Sequence, residues 1–244
     1  MRQTEGQSTV PWTPSPQQPV SRRGAYAVAR LAFPAHSRRA APVRRAILKH
    51  TVRALFNALE STPMAGRVWL MGGIAIGYAR TGEALHNDLV DMDFGYADAD
   101  HDRMMATLEV LLDRGFVPKF RLESNAGVQT AMRLRRDGVW IDLLRCFRRS
   151  DREYWITYLT DRHGPSAPQD VEVETEVAFQ EKIPTDPPLY GTTWLRAVDL
   201  PRYLAEQYGD WDAPDHVFYS RQWDHVRDSP AVVRCEPWSG SWEG

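Results

Sequence analysis

Three aspartates and a glycine pair carry the chemistry that can be read from this chain. Asp91 and Asp93 are separated by Met92 in the run Val90-Asp91-Met92-Asp93-Phe94-Gly95. On a strand, where side chains alternate, both carboxylates project from the same face. Two acids so placed repel each other and need a cation beside them. Asp142 supplies a third, in Val139-Trp140-Ile141-Asp142-Leu143-Leu144, and a carboxylate in so apolar a run calls for a partner or a metal. Upstream, Gly72-Gly73 follows the apolar Val68-Trp69-Leu70-Met71 and opens a short helical pattern. Glycines at a helix entrance let backbone N–H groups approach an anion, although a tight turn alone also selects them. Together these residues predict metal-assisted phosphoryl transfer: Asp91, Asp93 and Asp142 hold Mg²⁺ or Mn²⁺, Asp142 is placed to activate a hydroxyl, and phosphates lie at Gly72 and Gly73. Arg133 and Arg135 share one face of the strand before Asp142, where they either pair with the acids or meet donor phosphates. Arg80 is a similar candidate.

Other polar clusters point elsewhere. Asp98, Asp100, Asp102 and Glu109 imitate a calcium-loop spacing, but Arg103 stands where such a loop needs glycine. They are expected to be acids at the start of a helix. The seven histidines form no ligand pattern, and neither a Gly-x-Ser-x-Gly nor a Cys-His arrangement is present. His86 reads as a solvated loop residue, and the sequence assigns no role to Asp88.

The elements that must position these residues follow from periodicity. A helix starts at Pro42, runs from Val43 to Leu59 and presents Ala46, Ile47, Ala54, Leu55, Ala58 and Leu59 as its apolar stripe. Next come a strand at Val68–Met71, the glycine turn, a helix closing at Thr81-Gly82, and the acidic strand. A helix over Asp98–Asp113 follows, with Met104, Met105, Leu108, Leu111 and Leu112 as its core face. Strands are expected over 116–122, 129–135 and 139–147, the last two joined by an Asp137-Gly138 hairpin turn. Weaker strand patterns occupy 154–159 and 171–179, a loop 184–188, and a short helix 200–208. The fold class is α+β, a mixed β-sheet flanked by helices, with C-terminal additions.

Length and composition suit this reading. The chain has 244 residues, 43% of them hydrophobic and 11% aromatic, enough for one substantial domain. Residues 1–42, with Pro11, Pro14, Pro16, Pro19, Pro34 and Pro42, read as a disordered Pro/Arg-rich arm rather than a targeting peptide. The folded domain then spans 43–229, followed by a loosely held tail, 230–244. The first fifty residues hold nine Lys or Arg against Glu5 alone, leaving 21 basic and 31 acidic residues in the remainder. So acidic a body argues against nucleic acid as the main partner. No apolar run approaches a membrane span. Cys146 and Cys235 make neither a disulfide framework nor a zinc site, which fits a reducing, cytoplasmic setting.

Strand, Gly-Gly, helix, Asp-x-Asp strand and a third Asp on a neighbouring strand resemble the nucleotidyltransferase fold. Two segments are similar to its LicD/fukutin-like branch: Leu70 to Gly82, with its glycines and Arg80-Thr81-Gly82, and His86 to Gly95, ending Asp-hydrophobic-Asp-hydrophobic-Gly. A third, Leu200-Pro201-Arg202-Tyr203-Leu204-Ala205-Glu206-Gln207-Tyr208-Gly209-Asp210-Trp211-Asp212-Ala213-Pro214, resembles the branch's C-terminal Tyr-Leu, Tyr-Gly, Trp, Pro segment. The chain departs from the pattern at Leu85-His86-Asn87, where the branch enters its acidic strand through Pro-Trp or Pro-His. The resemblance covers residues 66–225. It implies a phosphotransferase that moves phosphocholine or an alditol phosphate from a CDP-linked donor to a glycan hydroxyl. In that reading Asp91 and Asp93 hold Mg²⁺, Asp142 completes the site or acts as base, and Gly72-Gly73 lie against donor phosphates. Two alternatives use the same residues: transfer of NMP from an NTP to a small-molecule hydroxyl such as that of an antibiotic, and a nucleotide-binding module without catalysis.

Overall fold

The computed structural model describes residues 40–124, 128–149, 152–159, 171–177, 182–184, 189–192, 195–197, 200–208, 210–212 and 227–237. Most of the expected arm, residues 1–39, and the end of the expected tail, 238–244, lie outside them. Helix α1 (Ala41–Glu60) starts with proline in its first turn, where the missing N–H costs nothing. Its buried face is Leu48, Thr51, Val52, Leu55, Ala58 and Leu59. The expected stripe was therefore turned too far toward Ala46, which is exposed; Leu48, Val52, Leu55 and Leu59 keep the spacing of a single helix face.

Strand β1 (Val68–Leu70) leads into α2 (Gly72–Thr81). A 3-10 turn at His86–Asp88 precedes β2 (Asp91–Ala97), and another at Asp98–Asp100 precedes α3 (His101–Asp113). Strands β3 (Val117–Ser124), β4 (Gln129–Arg136) and β5 (Val139–Arg149) follow. Arg136 pairs with Val139, so Asp137-Gly138 is the whole loop, and both residues take left-handed φ values, 51° and 89°. That is the two-residue turn the Asp-Gly signal predicts, and its twist matches that of the strands.

These strands form a five-strand mixed sheet in the order β3-β4-β5-β2-β1. Neighbours are antiparallel except for β2 and β5, which run parallel. The class is α+β. On one face, Met92 and Phe94 of β2, Ile141 and Leu143 of β5, and Met132 and Leu134 of β4 are buried. They share one apolar core with Leu48, Val52 and Leu55 of α1 and Met104, Leu108 and Leu111 of α3. The opposite face carries the polar alternates of the same strands.

Beyond β5 the chain adds β6 (Arg152–Leu159), β7 (Val171–Val177), β8 (Lys182–Pro184), β9 (Leu195–Ala197), α4 (Leu200–Tyr208) and β10 (Arg227–Pro237). The end of β5 leaves β4 and pairs with β6, while β9 lies parallel to β1. The expected loop at 184–188 begins as β8. The tail, expected to be loosely held from residue 230, starts instead within β10, which pairs with β3 and β7; its Val232-Val233 pattern was masked by the surrounding Pro, Ser and Trp. Among the described residues, no helix is long and apolar enough to cross a membrane.

Candidate metal and phosphate site

Two cross-strand rows build the site. In the first, Asp93 of β2 stands opposite Asp142 of β5, and Asp142 opposite Arg133 of β4. In the second, one pleat away, Asp91 stands opposite Trp140, and Trp140 opposite Arg135. Directly paired residues share a face and lie within side-chain reach. Register alone therefore collects residues from three strands onto the polar face.

The acids converge as the sequence predicts. Asp91, Asp93 and Asp142 each offer a carboxylate oxygen, and these oxygens lie within 4.8 Å of one another. Asp91 Oδ1 is buried and, among the described residues, has no hydrogen-bond partner. A buried, partnerless anionic oxygen is costly, and a hard divalent cation would satisfy it. Three carboxylate donors suit Mg²⁺ or Mn²⁺ and not a soft metal. The residues present fit such an ion.

Burial pushes the Asp93 carboxyl well above the ordinary carboxylate range, and the charges of Asp142 and Asp91 add to this against the pull of Arg133. Asp91 moves the same way, through burial first and Asp142 second, opposed by Arg133 and the Met92 N–H. Arg133 answers part of this field. Its Nε donates to Asp142 Oδ1 at 2.5 Å and its Nη2 to Asp142 Oδ2. Burial works against the arginine's charge, yet its hydrogen bonds to Asp142 and the three acids outweigh that, and its pKa is raised. Of the two roles expected for Arg133, the structure contains the pairing with acids. Arg135 lies over Trp140, with Cζ 4.7 Å from the ring centroid.

The glycine pair proves to be pressed by the protein's own carboxylates. Gly72 has φ +57°, and a Cβ there would overlap Oδ2, Cγ and Cβ of Asp93. A Cβ on Gly73 would overlap the carboxylate of Asp88. The Gly72 N–H donates to Tyr203 Oη of α4 at 3.2 Å, and Met71 N–H to the Asp93 carbonyl at 3.0 Å. Glycine is required here because the acidic strand and α4 close in on the helix start. Asp88 lies at the positive end of α2, which favours its charge. Burial and the nearby Asp91 win nonetheless, raising its pKa from 3.8 to about 6.

Sequence reasoning missed two of these neighbours. Tyr203 is fully buried and appears in the sequence as one apolar residue of a short helix, with nothing to show that its hydroxyl reaches Gly72. Asp88 carried a signal, an acid three residues before Asp91, but its contact with Gly73 depends on the 3-10 turn. Arg80 stands in the last turn of α2, about 12 Å along the axis from Gly72.

The acids at 98–102 stay apart from the site. Asp98 accepts from Arg145 Nε at 2.6 Å, and Asp100 accepts from Arg67 and Arg103 at 3.0 and 2.6 Å. Arginines answer the charges of Asp98 and Asp100.

No protein-family model matches this chain, and no curated protein matches it.

Proposed function

We propose that this chain is a metal-dependent transferase with a nucleotidyltransferase-like, LicD/fukutin-like catalytic centre, moving a phospho-alcohol group from a CDP-linked donor to a glycan hydroxyl. The observation that carries the proposal is the gathering of Asp91, Asp93 and Asp142 to within 4.8 Å around the partnerless Asp91 Oδ1. The resemblance of the segments at 70–82, 86–95 and 200–214 narrows that chemistry to CDP-linked donors.

Asp91 and Asp93 would hold Mg²⁺ or Mn²⁺, with Asp142 completing the set. The bound ion would polarise the phosphoryl oxygens and offset charge on the departing CMP. In the transfer, the acceptor oxygen bonds to the phosphorus attached to the alcohol, and the bond from that phosphorus to CMP breaks. The acceptor's proton passes to a carboxylate of the site. Arg133 donates from Nε and Nη2 to the two oxygens of Asp142, which works against Asp142 as the base while that pair holds. Arg135, stacked over Trp140 beside the acids, would meet the donor phosphates.

Incubation of the full chain with Mg²⁺ and either CDP-choline or a CDP-alditol, in the presence of glycan acceptors, tests the reading. The expected result is CMP release that is lost in Asp93→Ala. Pyrophosphate release from NTPs, with none of CMP from CDP-alcohols, would replace this reading with nucleotidyl transfer.

A further inference from the structure

Arg133 occupies an unusual place for a cation. It faces a carboxylate that belongs to a candidate metal-ligand set, and its fork takes a lone pair from each of the two Asp142 oxygens. Its guanidinium carbon lies 5.4 Å from the Phe120 ring centroid and 5.7 Å from that of Trp140. These rings hold the planar group beside the acids. The Arg133 side chain nevertheless keeps 31% of its exposure, against 14% for Asp142, so it borders solvent and has room to turn outward. Its charge is felt by Asp91 and Asp93 as well as by its direct partner.

We propose that Arg133 is a built-in counter-cation that competes with a divalent metal for Asp142. It holds the acids together when no metal is bound and releases Asp142 when one binds. The inference rests on the metal-ligand reading of the three aspartates. Its physical basis is that a guanidinium and a doubly charged ion on the same carboxylate repel each other through a poorly screening medium. Each occupant therefore weakens the other. A released guanidinium would stand one carboxylate away from the metal, on the side of Trp140 and Arg135, where it could pair with a donor phosphate oxygen. The opposing role, a clamp that orients Asp142 for the metal, predicts that removing Arg133 weakens metal binding. The two roles differ in sign.

Mn²⁺ titration of the full chain without nucleotide, with free ion read from its electron paramagnetic resonance signal, separates them. Arg133→Met keeps an apolar stem and removes the charge, whereas Arg133→Lys keeps the charge and loses the fork. The expected order is Arg133→Met tightest, by about tenfold or more over wild type, with Arg133→Lys between them. Mn²⁺ should also raise the melting temperature of Arg133→Met by more than that of wild type. Equal or weaker Mn²⁺ binding by folded Arg133→Met overturns the proposal. If Arg133→Met folds only when Mn²⁺ is present, the metal has replaced the guanidinium and the proposal stands. If it stays unfolded with Mn²⁺, the proposal falls. Tighter Mn²⁺ binding by Arg133→Met, with no turnover of CDP-alcohols by wild type, would remove the transferase reading and leave the counter-cation in place; turnover by wild type with Mn²⁺ affinity unchanged in Arg133→Met would do the reverse.

Discussion

Replacing Asp88 by asparagine should make the metal-free protein progressively more stable than wild type as pH rises. The Asp88 carboxyl is raised from 3.8 to about 6 by burial and by Asp91. Between those values the folded state binds the proton more tightly than the unfolded chain. The stability this group contributes is therefore complete below 3.8 and is lost as pH rises through about 6. At about 1.4 kcal/mol per pKa unit the full loss is about 3 kcal/mol. About half of it falls between pH 5, where the folded carboxyl is still mostly protonated, and pH 7.5, where it is ionised. Asparagine keeps the shape but carries no charge to desolvate. In a chain of this size, the melting-temperature difference between Asp88→Asn and wild type should grow by roughly 3–6 °C over that window. The difference is the quantity to measure, because His101 contributes with the opposite sign, its pKa lowered by burial and by Arg145. Thermal unfolding in EDTA at four pH values, followed by tryptophan fluorescence, supplies it. A difference that is flat, or that shrinks with pH, would show that Asp88 is not buried against Asp91 as described. Added Mg²⁺ should stabilise both proteins, most at pH 7.5, since Asp91, Asp93 and Asp142 are present in each and metal ligands must be deprotonated.

Two further substitutions probe the glycine turn. Gly72→Ala adds a left-handed backbone cost of about 1–2 kcal/mol to the overlap with Asp93, so calorimetry should show a loss beyond about 3 kcal/mol, accompanied by weaker Mn²⁺ binding; an unchanged melting temperature would contradict the packing of Asp93 on the turn. Tyr203→Phe removes the acceptor for the Gly72 N–H and should cost about 1–2 kcal/mol, which chemical denaturation can resolve.

Much of the site was legible because it depends on short-range patterns. The period of two put Asp91 and Asp93 on one face and Arg133 and Arg135 on another strand's face, while Asp137-Gly138 fixed how β4 and β5 pair. What joined them was not written locally. The parallel ladder that sets Asp93 beside Asp142 links segments separated by a helix and two strands, and no residue type announces its register. The same limit hid Tyr203, whose role arises from α4 packing on α2. The α1 stripe was misplaced toward Ala46 because small alanines satisfy the helical period without being drawn into the core as Leu48 and Val52 are. The strand at 227–237 was hidden because its pairing partners, not its composition, make it a strand.

The cross-strand row also bears on the order in which the chain assembles. Arg133 and Asp142 are nine residues apart across a two-residue turn, so they meet as soon as the hairpin closes, at a small cost in loop entropy. Asp93 reaches the same row only after the much longer β2-to-β5 connection has been organised. Along the least costly route, the hairpin carries its own positive charge before the other two carboxylates arrive. A strand bearing Asp91 and Asp93 is then drawn toward a guanidinium instead of repelled by a bare acid, and the β2–β5 ladder closes on a partly neutralised edge.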